Sequence, residues 1–122
     1  MKREATVLIY GRDPVLLETR RLILARSGLK PVTVLDLPQA HRIIKSLNVD
    51  LLILCSSVSD EESVLVLEEL RRLGKSKTKT LVLRKDGTRL ASQPTETLAS
   101  PVDPRTFQSV VGTLVQAEPT GD

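Results

Sequence analysis

The chain has 122 residues, 40% hydrophobic and 27% charged, with a formal net charge of +3. That length holds a single core, and this balance is the one soluble globular domains show. A lone cysteine excludes an internal disulfide and a cysteine-rich zinc site, no apolar run is long enough for a signal peptide or membrane span, and so small a charge excess does not demand a polyanion.

A cytoplasmic setting is therefore expected, with one domain over residues 1–117 and a polar flexible tail over 118–122. Aromatic residues make up only 2% of the chain, which leaves the core to Leu, Val and Ile.

In chain order, Thr6 to Tyr10 is an apolar run rich in strand formers that stops at Gly11, Arg12, Asp13 and Pro14. Asp13 suits an N-cap and Pro14 the first helical position. Leu16, Thr19 and Ile23, with Leu17 and Leu24, supply a helical stripe that Gly28 ends. Val32 to Leu35 predicts a second strand. Asp36 or Leu37 then leads through Pro38 into a helix carrying Ala40, Ile43, Ile44 and Leu47.

Val49 to Leu54 is almost continuously aliphatic, as a parallel strand buried on both faces should be, and it delivers Cys55 to its carboxyl end. Ser59 and Glu62 have the spacing of a capping box, and Val64, Leu67 and Leu70, with Val66 and Leu73, carry a helix to Gly74. Thr80 to Leu83 predicts a fourth strand and Thr97 to Ala99 a weaker fifth. Asp103 and Pro104 start a last helix bearing Phe107, Val110, Val111 and Leu114.

Strict alternation of strand and helix means α/β: one doubly wound parallel sheet with helices on both faces. Sites on such sheets lie beyond the carboxyl ends of the strands, which selects Gly11 to Asp13, Cys55 to Ser57, Arg84 to Asp86, and Ser100 with Pro101. Between Leu83 and Thr97 too few apolar residues occur to bury a full helix, so the fourth helix is expected to be missing or vestigial, with at most one turn around Arg89 to Ser92.

From Ala5 to about Val115 the chain resembles the receiver domain of bacterial response regulators, a flavodoxin-like five-stranded fold with sheet order 2-1-3-4-5. The residues that carry the resemblance are Val7 to Tyr10 leading to Asp13 and Pro14, the Gly28 to Val34 turn and strand, Ala40, Val49 to Leu54, and Pro101 before Asp103 and Pro104.

The resemblance implies carboxylates after strand one that hold magnesium, a phosphoryl-accepting aspartate after strand three, a Ser or Thr after strand four and a Lys after strand five. By position these fall on Gly11 and Arg12 (Arg12 and Asp13 if the register slips by one), Cys55, Arg84 and Ser100, while the switch aromatic of strand five falls on Leu98. Every one of these positions has changed. Magnesium wants oxygen ligands, which a thiol and a guanidinium cannot replace. The expectation is a pseudo-receiver: no enzyme, no metal, no cofactor, and action through a protein partner or an appended output domain in bacterial signal transduction.

Several residues carry a second reading. Arg12, Arg84 and Lys85 can form a basic cleft for an anion or a partner's carboxylate, or with Arg89 for a nucleic acid or nucleotide, or Arg12 can simply pair with Asp13 or Glu61. Cys55 can be a small buried hydrophobe or a thiol sensor activated by Arg12 or Arg84. His41 reads as a surface or boundary residue. Lys75, Lys77 and Lys79 read as a solvated loop, with nucleic-acid binding the alternative. Leu90, Leu98 and the last helix offer apolar surface for a partner, and a homodimer would need a non-standard interface.

Overall fold

The computed structural model describes residues 4–75, 77–85, 95–99 and 102–116. The strands are β1 (Thr6–Tyr10), β2 (Lys30–Val34), β3 (Leu51–Leu54), β4 (Lys79–Arg84) and β5 (Glu96–Ala99). The helices are α1 (Pro14–Arg26), α2 (Leu37–Ser46), α3 (Asp60–Arg72) and α4 (Pro104–Gln116). All strand pairings are parallel, in the order β2-β1-β3-β4-β5. The doubly wound sheet and its order are as expected. Residues 86–94, where a crossover helix between β4 and β5 would stand, lie outside the described residues, as do Leu90, Ser100, Pro101 and the 118–122 tail.

Local chemistry sets the helix ends. Asp13 accepts from the amides of Val15 and Leu16, Asp36 from Gln39, Ser59 from Glu62 and Asp103 from Thr106. Each such cap contributes about 1 kcal/mol. At the other end of α1, Gly28 takes a φ of +83°, and the amides of Gly28 and Leu29 return to Ala25 and Leu24. That is the paired closure for which a left-handed glycine is suited.

Strand alternation divides the core between two faces. Leu8, Tyr10, Leu52, Leu54 and Val82 pack with α2 and α3 residues such as Ala40, Ile44, Val66 and Leu70. Val7, Ile9, Leu51, Ile53, Leu81 and Leu83 form the other cluster with Leu17, Leu24, Phe107 and Val111 of α1 and α4. The edge strand β2 is only half-buried and carries Pro31, a residue such an edge tolerates. Among the described residues no helix is long and apolar enough to cross a membrane.

The buried stripe of α1 differs from the expected one. Leu17, Arg20 and Leu24 face inward, while Leu16 and Thr19 are exposed and Ile23 is half-buried. Val15, Leu16, Leu17, Leu22, Ile23 and Leu24 place apolar side chains all round this helix, so periodicity leaves its inward face undetermined. Packing under the sheet selects the face that carries an arginine.

Candidate functional site

The sheet order reverses between β1 and β3, so the crevice beyond their carboxyl ends is where an open α/β sheet offers a site. Here it is filled. The Cys55 amide donates to the Tyr10 carbonyl at 2.9 Å and the Gly11 amide to the Val34 carbonyl at 3.3 Å, which extends the ladder past the strand ends. A Cβ placed on Gly11 would stand 3.0 Å from both Cβ and Sγ of Cys55 and 3.3 Å from Cδ2 of Leu17. A side chain here would press on both neighbours, and Gly11 and Cys55 form a single close contact.

Cys55 is 4% exposed. Its sulfur accepts a hydrogen bond from Nη1 of Arg20 at 3.2 Å, and the same guanidinium lies over the Phe107 ring, 5.8 Å from its centroid. Burial pushes the thiol pKa above its ordinary value of 9.0, with the charge and hydrogen bond of Arg20 pulling the other way. A buried thiol of raised pKa is a poor nucleophile. The expectation that Arg12 or Arg84 would stand beside Cys55 is corrected: the neighbouring cation is Arg20, which the sequence reading missed because it sought cations in loops at strand ends.

Arg12 turns away from the thiol. It pairs with Glu62 in the first turn of α3, donates to the Tyr10 hydroxyl at 3.4 Å and lies 6.0 Å from that ring's centroid. Its amide donates to the Ser57 hydroxyl at 2.8 Å, tying the end of β1 to the loop after β3. The acid it pairs with is thus Glu62, neither Asp13 nor Glu61, and Asp13 is committed to capping α1. The Tyr10 pKa is raised from 10.0, chiefly by burial and then by Glu62, with Arg12 opposing.

At the end of β4, Arg84 pairs with Asp60 at 2.7 Å, and Lys85 is exposed. Arg12 and Arg84 each pair with a different carboxylate of α3, Glu62 and Asp60. An open cleft of about 280 Å³ lies between α3 and β4, lined by Ser56, Ser59, Asp60 and Ser63 on one side and Val82 to Lys85 on the other. On the opposite rim, Lys75 Nζ donates to the Ile44 and Leu47 carbonyls at the end of α2, which gives the first lysine of the basic loop a structural partner. His41 has a buried Nε2 without a hydrogen-bond partner. Leu98 is half-buried against the α1/α4 core. Among the described residues, the large apolar side chains that stand exposed are Val15, Leu16 and Leu22 of α1, Leu35, and Leu65 of α3. Among the described residues no group of three or more His, Cys, Asp or Glu is placed to hold a metal ion.

No protein-family model matches the sequence, and no curated protein matches it. Solved structures do match in fold. The receiver domain of the Francisella response regulator 1452 is 17% identical, with a TM-score of 0.81 over 93% of this chain and 98% of that one. The chemotaxis response regulator CheY4 of Vibrio cholerae is 18% identical, with a TM-score of 0.82 over 92% and 99%. The receiver domain of the Pseudomonas aeruginosa sensor histidine kinase PA1611, solved with magnesium coordinated in its active-site cleft, is 16% identical, with a TM-score of 0.82 over 94% and 100%. The chain has the CheY-like receiver fold.

Proposed function

We propose that this chain is a pseudo-receiver, a receiver-fold module of bacterial signalling that works without phosphoryl transfer, by contact with a protein partner or an appended output domain. The observation that carries the reading is the closed contact between Gly11 and Cys55, with Arg20 bound to the sulfur. A hard divalent ion takes about six oxygen ligands. Gly11 has no side chain, Arg12 is a cation paired with Glu62, and Cys55 is a buried thiol, so these residues do not fit magnesium. Transfer would also lack the charge neutralisation that a metal supplies to a moving phosphoryl group.

A protein contact is supported by the three large apolar side chains that α1 leaves exposed, Val15 at 74%, Leu16 at 46% and Leu22 at 41%. Thiol sensing is disfavoured by the burial and raised pKa of Cys55, and a cytoplasmic setting accompanies the main reading. Incubation with acetyl phosphate and magnesium, followed by intact-mass measurement, is expected to leave the chain unmodified. Cys55→Asp is expected to stay unmodified too, because Arg20 takes the new carboxylate and Gly11 still supplies no second one. A stoichiometric phosphoryl adduct on the native chain sinks the proposal.

A further inference from the structure

We infer that His41 is a pH-sensitive tie between α2 and α3: when its imidazole takes a proton from mildly acidic solvent, the buried Nε2 donates a hydrogen bond to the Glu69 carboxylate across the seam. His41 is the only histidine of the chain. It is half-buried, and its Nε2 is shut off from solvent without a hydrogen-bond partner. A buried ring nitrogen is costly to leave unpaired. Protonation turns it into a charged donor, for which a carboxylate is the strongest acceptor.

The acceptor stands on the facing helix. His41 and Ile44 are three residues apart on α2, as are Val66 and Glu69 on α3, and Ile44 and Val66 belong to one buried cluster. The Glu69 side chain is only 11% exposed. Arg72 donates to its two oxygens at 3.0 and 2.8 Å, which leaves about half of the lone-pair sites of the carboxylate for another donor. The Arg72 hydrogen bond is the main cause that holds the Glu69 carboxyl below its ordinary range, with burial opposing and the charges of Arg72, His41 and Lys45 assisting. Glu69 is therefore ionised throughout the interval in which an imidazole ordinarily changes charge. Other charges around α2 are engaged elsewhere or lie in solvent. Asp36 caps α2, Lys75 donates to the Ile44 and Leu47 carbonyls, and Arg42 and Lys45 are exposed, where water and salt screen them. On α3, Glu62 pairs with Arg12 and Asp60 with Arg84, while Glu61, Glu68 and Arg71 are exposed. On β1 the Tyr10 hydroxyl accepts from Arg12, and on β2 Lys30 is exposed.

The link adds to the packing of Ala40 and Ile44 on Val66 and Leu70; it is made as pH falls and lost as pH rises. The test is NMR of the isotope-labelled full chain between about pH 8 and about pH 5.5. At the acidic end a His41 Nε2–H signal is expected, protected from exchange and close to the Glu69 side chain, and the Glu69 carboxyl carbon should move along the same curve as the His41 ring. His41→Gln is expected to abolish that movement, and Glu69→Gln to abolish the protected Nε2–H signal. A ring that titrates without a protected Nε2–H, a ring that keeps one protonation state throughout, or a Glu69 signal that moves unchanged in His41→Gln overturns the inference. Such a failure leaves the transfer-free reading standing, since acetyl phosphate and intact mass decide that one separately.

Discussion

The two faces of the sheet are built from the same strands and solve different problems. Toward α2 and α3 the buried side chains form a nearly all-aliphatic cluster, with Tyr10 the one buried polar-tipped member. Toward α1 and α4 the aliphatic cluster includes Cys55 and is bordered by the buried Arg20, which spans from the thiol to Phe107. One face is packed almost wholly by hydrocarbon, whereas the other brings a thiol and a guanidinium into contact. A buried cation is costly, and here a polarisable sulfur and an aromatic face share the guanidinium.

The largest expected effects test whether that second face is as well packed as the first. Leu52 and Ile53 are neighbours in β3, both fully buried and on opposite faces. Replacing either by alanine is expected to cost about 2–5 kcal/mol in urea unfolding. A much smaller loss for Ile53→Ala breaks the comparison, because it means the Arg20 face collapses easily around a void.

Gly11→Ala comes next. Its Cβ meets Cys55 and Leu17 inside ordinary contact distance, so about 1–3 kcal/mol of overpacking is expected. Adding Cys55→Ala removes the sulfur half of the clash, and the double variant should cost less than the sum of the singles. Strict additivity would show that the two residues are not one contact.

The smallest effect separates the faces by pH. The Cys55 pKa is raised from 9.0 and that of Tyr10 from 10.0, each chiefly by burial. A raised folded pKa means that the folded state holds its proton longer than the unfolded chain does. The stabilisation is complete below the unfolded pKa and is lost as pH rises through the folded one. Alkaline loss should therefore start near pH 9 from the Cys55 face and near pH 10 from the Tyr10 face. Cys55→Ala is expected to flatten the first part of that slope and Tyr10→Phe the second, read as unfolding free energy against pH. Equal flattening by both across the whole range would contradict the assignment.

Much of the molecule was legible along the chain because its signals are local. Asp13, Asp36, Ser59 and Asp103 cap the helices their positions announced, and the aliphatic run ending at Leu54 is the central strand it resembles. That Gly11, Arg12, Cys55 and Arg84 stand at the carboxyl ends of their strands could be read from the apolar runs before them. Ser100 lies outside the described residues.

The partners of these residues were not legible. Arg12 could have reached Asp13, Glu61 or Glu62 by sequence distance, and it pairs with Glu62 because Asp13 is spent on its helix. Arg20 could not be found at all from periodicity, since apolar residues surround α1 on every side.

By itself, then, the sequence determined the order of elements, the burial of the central strands and which residues stand at the strand ends. These follow from residue type and short-range spacing. Only the tertiary structure decided that Gly11 and Cys55 meet in close contact, that Arg20 bonds the sulfur, and that Arg12 pairs with Glu62. Each of those depends on which faces of separate elements meet, and that is fixed by packing across tens of residues of intervening chain.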